Sequence, residues 1–222
     1  MLKGLTLSFD DKRVSVLLGP SGCGKTTLLN ILSAVVRSDS GTIEGLDGLR
    51  VSYLFQEPRL LPWATVAGNI DLVLRDTYDE PERGAIIRRF LHLVGLSKFE
   101  RFYPDALSGG MRQRVAVARA FAFPGDLLLM DEPFQALDLV LKLSLMDSFE
   151  TLWKEDMRTA VFVTHDIQEA LLAGDDIYVL SSRPAQVVSH LRNDVPRSER
   201  SLRNDGILEL ERTLYGLFGL SR

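Results

Sequence analysis

The chain has 222 residues, of which 45% are hydrophobic and 25% are charged, and this composition excludes a disordered or fibrous protein. The length fits one domain, or one domain with a smaller subdomain inserted in it. A net charge of -4 gives no general basic surface, so we predict no nucleic-acid partner. No apolar run approaches the roughly 20 residues that span a bilayer, and no N-terminal leader pattern is visible. The single cysteine, Cys23, fits a reducing compartment, and we expect a soluble cytoplasmic chain.

The first predicted element is a strand followed by a glycine-rich turn and a helix. Residues 14–18 form a β-rich apolar run, and the helix is indicated by apolar residues at helical spacing: Leu28, Ile31, Leu32 and Val35. Later apolar runs at 127–130, 160–163 and 177–180 each have a helical pattern beside them. Buried parallel strands require this alternation, so we predict an α/β fold with a mainly parallel sheet.

Between these strands, residues 63–118 have a helical pattern. Pro81 suits a first helical turn, Gly95 suits a C-terminal cap, and an apolar stripe lies between them. Amphipathic patterns also cover 139–153 and 207–218. We therefore expect a core of residues 1–62 and 119–195, an inserted helical subdomain at 63–118 and a C-terminal helical tail at 196–222.

The turn after the first strand predicts a phosphate-binding loop. Residues 19–26, GPSGCGKT, fit the pattern G-x-x-x-x-G-K-[ST] between a strand and a helix. Glycines let successive N–H groups converge on one anion, and the helix dipole adds positive potential there. Lys25 would reach the β and γ phosphates, and Thr26 would place its hydroxyl on Mg²⁺. The candidate nucleotide-binding residues are Gly19, Pro20, Ser21, Gly22, Cys23, Gly24, Lys25, Thr26 and Thr27.

Two carboxylates follow the apolar run at 127–130. Asp131 and Glu132 would lie at the carboxyl edge of the sheet, where open α/β sheets bind their ligands. Alone, such a pair more often caps the next helix. Beside a phosphate loop, Asp131 is predicted to support Mg²⁺, and Glu132 is predicted to act as general base for an attacking water.

The string LSGGMRQR at 107–114 predicts a second anion-binding helix start. Ser108 suits an N-cap, and Ser108, Gly109 and Gly110 present bare N–H groups at the start of a helix through Ala122. This string resembles the signature of the ATP-binding cassette (ABC) family, L-S-G-G-x-x-Q-R. That resemblance implies a RecA-like P-loop core and a head-to-tail dimer, which we expect to be a homodimer, in which each signature closes over the partner's nucleotide.

Further residues match the family in the same order along the chain. Gln56 resembles the Q-loop glutamine that senses the γ phosphate, and His165 resembles the switch histidine that stabilises the γ phosphate and the attacking water. Ala136, Leu137 and Asp138 resemble the D-loop at the dimer interface, although the family usually has Ser or Gly where this chain has Gln135. The predicted catalytic residues are Glu132, His165, Gln56 and Lys25, and the predicted Mg²⁺ ligands are Thr26, Gln56 and Asp131.

The resemblance also implies ATP and Mg²⁺ as cofactors and a partner in the membrane. Residues 60–66 and the Gln-Glu-Ala after Ile167 look like the import ATPases of the nitrate, sulfonate and taurine group. The chain would then lie on the cytoplasmic face of the inner membrane, attached to a separate permease and working with a solute-binding protein. The transported solute is not indicated by the sequence.

Two other functions remain open at this point: a soluble cassette ATPase and a nucleotide-dependent regulator without turnover. The first would need a second cassette or a basic arm, and Glu132 with His165 argues against the second. One family feature has no match, because the aromatic residue that stacks on adenine would precede Leu2, and Phe9 comes too late. From this we expect weak discrimination between ATP and GTP.

Overall fold

The structure, a computed structural model, describes residues 2–135 and 139–219, and the side chain of Leu139 is not described. The chain divides into two compact units. The first consists of Met1–Asp47, Leu129–Glu132 and Thr159–Arg222, and the second consists of Gly48–Leu128 and Pro133–Arg158. No helix in the described part of the chain is long and apolar enough to cross a membrane.

The first unit is built on a mixed, mostly parallel sheet. Within the described residues its strand order is β3-β4-β1-β5-β6. The central strand β1 runs parallel to β4 and β5, and β6 runs antiparallel to β5 at the edge. The strands are β1 (Val14–Leu18), β3 (Leu127–Asp131, which enters this unit at Leu129), β4 (Thr159–Thr164), β5 (Asp176–Leu180) and β6 (Val187–Arg192).

Burial explains which strands the sequence predicted. Every side chain of β1, β3 and β5 is buried, so these strands appear in the sequence as mostly apolar runs. Each contains one polar or charged residue: Ser15, Asp131 and Asp176. The predicted α/β fold is therefore confirmed. Strand β6 alternates half-buried and exposed residues, as expected at a solvated edge, and its mixed composition gave no apolar run.

The α-helices of the first unit, within the part of the chain that the structure describes, are α1 (Lys25–Leu32), α6 (Ile167–Ala173) and α7 (Asp205–Leu217). The predicted stripe on α1 is partly wrong. The helix ends at Leu32, Ala34 adopts a positive φ of 58°, and Val35 is 67% exposed. The buried apolar residue of this helix is Leu29, whereas Leu28, Ile31 and Leu32 of the predicted stripe are half-buried.

In its described residues, the second unit holds strand β2 and the α-helices α2 to α5. Helix α3 begins with a capping box between Asp79 and Glu82 and has Pro81 in its first turn. After α3, Gly95 adopts a positive φ of 69°, as expected for its predicted role at the helix end. The elements are β2 (Val51–Leu54), α2 (Val66–Asp71), α3 (Glu80–Leu93), α4 (Gly109–Ala122) and α5 (Leu139–Glu155).

A buried carboxylate fixes the segment that precedes α7. Asp175 is 6% exposed and accepts hydrogen bonds from Arg197 (2.5 Å), Arg200 (2.8 Å) and the backbone N–H of Val14 (2.8 Å). Burial acts to raise the pKa of Asp175, but these hydrogen bonds and the arginine charges outweigh it, so the pKa lies below its usual value. The ionised carboxylate therefore stabilises the folded first unit.

We expect Asp175→Asn to lower the free energy of unfolding at pH 7 by about 3 kcal/mol, because the arginines lose their buried counter-charge. The folded-state pKa is depressed, so this stabilisation is complete above the unfolded pKa of about 3.9 and is lost as pH falls through the folded pKa. Urea unfolding from pH 7 to pH 3 should show the difference between variant and wild type shrinking. A constant difference would contradict the electrostatic origin.

Candidate nucleotide site

The phosphate-binding loop joins β1 to α1 in the first unit. The N–H of Gly19 donates to the carbonyl of Thr164 (3.3 Å), which attaches the start of the loop to the end of β4. A Cβ on Gly19 would lie 3.0 Å from both the Cβ and the carbonyl oxygen of Leu180, so a side chain there would push against the backbone of β5. Gly22 and Gly24 have positive φ values of 76° and 124°, which curl the loop as the sequence predicted.

Lys25 points its ammonium group back into this loop. Lys25 is 4% exposed, and its Nζ donates to the carbonyls of Gly19 (2.8 Å) and Pro20 (3.0 Å). Two neutral backbone carbonyls therefore hold the Lys25 side chain inside the loop. The remaining predicted loop residues, Ser21, Cys23 and Thr27, lie in or directly after the same turn.

The two main candidates for Mg²⁺ ligation are in contact. The hydroxyl of Thr26 donates to Oδ1 of Asp131 (3.1 Å), and Asp131 is 4% exposed. Mg²⁺ prefers hard oxygen ligands and often takes only one or two from the protein, the rest coming from water and substrate phosphates. A hydroxyl and a carboxylate adjacent to a phosphate loop therefore fit this ion.

Glu132 and His165 form the second contact of the site. Oε2 of Glu132 lies 3.1 Å from Nδ1 of His165, and their side chains are 14% and 45% exposed. Glu132 has a positive φ of 45°, a conformation that costs a residue with a side chain about 1 to 3 kcal/mol. Its N–H donates to the carbonyl of Val163 (3.0 Å), which holds the strained backbone in place. With its backbone in this conformation, the Glu132 carboxylate faces His165.

His165 follows β4, and hydrogen bonds hold the residues on both sides of it. The Thr164 hydroxyl donates to the buried carboxylate of Glu169 (2.5 Å) and accepts from the N–H of Asp166 (3.0 Å). Asp166 in turn caps α6 by accepting from the N–H groups of Gln168 and Glu169. These bonds on both sides limit the movement of His165 relative to Glu132.

Gln56 belongs to the second unit, whereas the phosphate loop belongs to the first. It follows β2, and its side-chain amide donates a hydrogen bond to the side-chain oxygen of Gln135. Gln135 is the residue at which this chain departs from the family pattern, and the sequence gave no signal for this contact. The predicted D-loop residue Asp138 lies outside the described residues.

The predicted second anion-binding element is the start of α4. Ser108 is its N-cap and accepts from the N–H of Met111 (3.3 Å). Gly110 is buried, and a Cβ there would lie 2.8 Å from Cδ1 of Leu141, so a side chain at this position would force the Leu141 side chain to move. Gly109 is exposed beside it.

Helix α4 also holds two loops of the second unit. The buried amide of Gln113 donates to the carbonyl of Pro133 (2.9 Å), directly after Glu132 in the chain. Arg119 donates to the carbonyls of Pro58 (2.8 Å) and Arg59 (3.0 Å), shortly after Gln56. Burial lowers the pKa of Arg119, although arginine remains charged at neutral pH. The signature helix therefore fixes the segments that follow two predicted catalytic residues.

A phosphate loop whose threonine meets a strand-end aspartate is the arrangement of the P-loop nucleoside triphosphatases. The sequence profile described as ABC transporter matches residues 2–135, more than half of the chain, and the chain therefore belongs to the ABC transporter family. Within that family it is an ATP-binding cassette ATPase, and the predicted family resemblance is confirmed.

Curated relatives share sequence over most of the chain. The chain is 41% identical to the aliphatic sulfonates import ATP-binding protein SsuB 1 of Pseudomonas syringae pv. syringae (strain B728a), covering 86% of this chain and 78% of the relative. It is 37% identical to the taurine import ATP-binding protein TauB of Pelagibacter ubique (strain HTCC1062), covering 96% and 82%. The dimeric structure of the ABC transporter cassette MJ0796 superposes with a TM-score of 0.75 at 31% identity, covering 86% of this chain and 90% of that one.

Proposed function

We propose that the chain is the ATP-hydrolysing subunit of an importer and drives solute uptake through a separate membrane permease. The observation that carries the proposal is the pairing of Glu132 with His165 in the unit that also holds the phosphate loop and the Thr26–Asp131 pair. The names of the relatives support import and make an aliphatic sulfonate or taurine the first solutes to test.

The proposed chemistry assigns one task to each side chain. When nucleotide binds, the Lys25 ammonium gives up its hydrogen bonds to the carbonyls of Gly19 and Pro20 and donates to phosphate oxygens instead. Its positive charge then offsets the negative charge of the phosphates. Thr26 and Asp131 hold Mg²⁺, which supplies charge neutralisation at the phosphates when bound. Glu132 accepts a proton as a water oxygen attacks the γ phosphorus and the bond to the ADP oxygen breaks.

His165 is proposed to orient this base and to stabilise the γ phosphate. Its Nδ1 faces Glu132, and its side chain is the more exposed of the two, so the ring can also face a bound phosphate. Gln56, in the second unit, is proposed to contact Mg²⁺ and report the nucleotide to the permease. Its bond to Gln135 would have to break for that role.

We also propose the head-to-tail dimer. Ser108, Gly109 and Gly110 form a helix start with no acidic residue in its first turn, which suits a phosphate. The dimeric form of the similar cassette MJ0796 supports this assembly. In the same scheme, residues 63–118 act as the helical subdomain, 1–62 with 119–195 as the core and 196–222 as a tail.

Ser108→Arg should leave MgATP binding to the monomer unchanged and abolish hydrolysis. The reason is that the new guanidinium blocks closure of the signature over the partner's nucleotide but touches no residue of the phosphate loop. Titration calorimetry and a phosphate-release assay measure the two effects. Ser97→Arg, an exposed serine of the same unit, is the matched control and should behave as wild type. Loss of binding to the monomeric Ser108→Arg protein would contradict the division of labour.

Attachment to the membrane is tested by reconstitution. Steady-state ATP hydrolysis should be measured for the purified chain alone and with its permease and solute-binding protein in lipid vesicles. We expect a low rate alone, and a rise when the permease and the loaded binding protein are present. The same hydrolysis rate in both conditions would contradict a transport role and favour a soluble ATPase.

A further inference from the structure

An arginine outside the phosphate-binding motif, Arg183, contacts the phosphate loop. Arg183 belongs to the turn that joins β5 to β6, residues 181–186. In the sheet, Leu18 of β1 is aligned with Val179 of β5, and Gly19 packs closely on Leu180. The turn therefore begins beside the first residue of the loop, and both segments belong to the first unit.

Hydrogen bonds within the turn fix its shape. The N–H of Ser181 donates to the carbonyl of Gln186 (3.0 Å), and the N–H of Gln186 donates back to the Ser181 hydroxyl (3.1 Å). Ala185 within the turn is fully buried and forms a bridge with Leu2. A turn closed in this way presents Arg183 from an ordered backbone.

The guanidinium of Arg183 contacts Gly22. Its Nε donates to the Gly22 carbonyl, and its Nη2 lies 3.7 Å from the position of a Cβ built on Gly22. Arg183 is exposed, and among the described residues it forms no ion pair with a carboxylate. A guanidinium has five N–H donors, so most of them remain available at the rim of the loop.

We propose that Arg183 is a further nucleotide-binding residue, which attracts the polyphosphate through its charge while its bond to Gly22 holds the loop curled. This rests on the proposed assignment of residues 19–26 as the ATP site. Lys25 supplies a buried positive charge inside the loop, and Arg183 supplies a second one outside it. A guanidinium also suits phosphate oxygens because its N–H groups form a planar fork.

The test uses MgADP, which is not turned over, and titration calorimetry in about 0.1 M salt. Arg183→Gln, which keeps an amide donor for Gly22 but removes the charge, should bind about three- to tenfold more weakly than wild type. Arg183→Lys, which keeps the charge, should stay within about twofold. Arg192→Gln is the matched control, since it lies at the far end of the β5–β6 hairpin in a long, exposed pair with Asp194, and should bind as wild type does.

Salt separates an electrostatic role from a structural one. Raising the salt concentration to about 1 M shortens the screening length from about 10 Å to about 3 Å. The difference in MgADP affinity between Arg183→Gln and wild type should therefore become smaller. Equal binding by Arg183→Gln and wild type at low salt, or a loss that is the same at both salt concentrations, would overturn the proposal. If wild type and Arg192→Gln both failed to bind MgADP, the assignment of the loop itself would fall.

Discussion

Glu132→Gln should bind MgATP with unchanged affinity and lose a factor of about 10² to 10⁴ in kcat. Glutamine keeps the shape and the polar contact with His165 but cannot accept the proton from water, and general-base catalysis contributes about that factor. The drop should appear in kcat and not in the dissociation constant, because the side chain acts in the transition state. Single-turnover hydrolysis and nucleotide titration measure the two quantities.

Glu209→Gln is the matched control for this prediction. Glu209 is exposed on α7 and undergoes the same change from carboxylate to amide. Its kcat should equal that of wild type. If Glu132→Gln hydrolysed ATP at a rate within about twofold of wild type, Glu132 could not be the general base. Its strained backbone would then have no catalytic explanation.

Lys25→Ala should weaken MgATP binding by about 10²-fold or more. Its ammonium would bond to two phosphate groups, and hydrogen bonds to charged groups contribute about 1.5 to 3 kcal/mol each. The loss should appear in affinity first, unlike that of Glu132→Gln, because the charge is needed before any chemistry begins. Fluorescence titration with a nucleotide analogue measures it.

Lys3→Ala, an exposed lysine of the same unit, controls for the loss of one positive charge. Thermal unfolding without nucleotide checks that Lys25→Ala still folds, since the wild-type ammonium holds two loop carbonyls. A folded Lys25→Ala protein that binds MgATP as wild type does would exclude residues 19–26 as the phosphate site.

The central strands could be predicted because burial on both faces produces mostly apolar runs, as at residues 127–130 of β3. The edge strand β6 could not, since only one of its faces is covered. The apolar stripe predicted for α1 extends past the end of the helix at Leu32. The apolar spacing continues to Val35, but Ala34 takes a left-handed conformation that the pattern does not reveal.

The pairing of Asp131 with Thr26 could be anticipated, because both follow parallel strands and so meet at one edge of the sheet. Arg183 and the Gln56–Gln135 contact could not. The first depends on β5 lying beside β1 and on the closure of a turn, and the second depends on two loops far apart in the sequence. Such contacts leave no periodic signal along the chain.

The central claim is that this chain forms an ATP site that a second copy completes. Sedimentation velocity of Glu132→Gln tests it most directly, because a variant that binds MgATP without hydrolysing it should remain closed. We expect a monomer without nucleotide, a dimer with MgATP, and a monomer in both conditions when Ser108→Arg is added. A Glu132→Gln protein that stays monomeric in saturating MgATP while hydrolysing it at the wild-type rate would exclude both the composite site and the role of Glu132 as base.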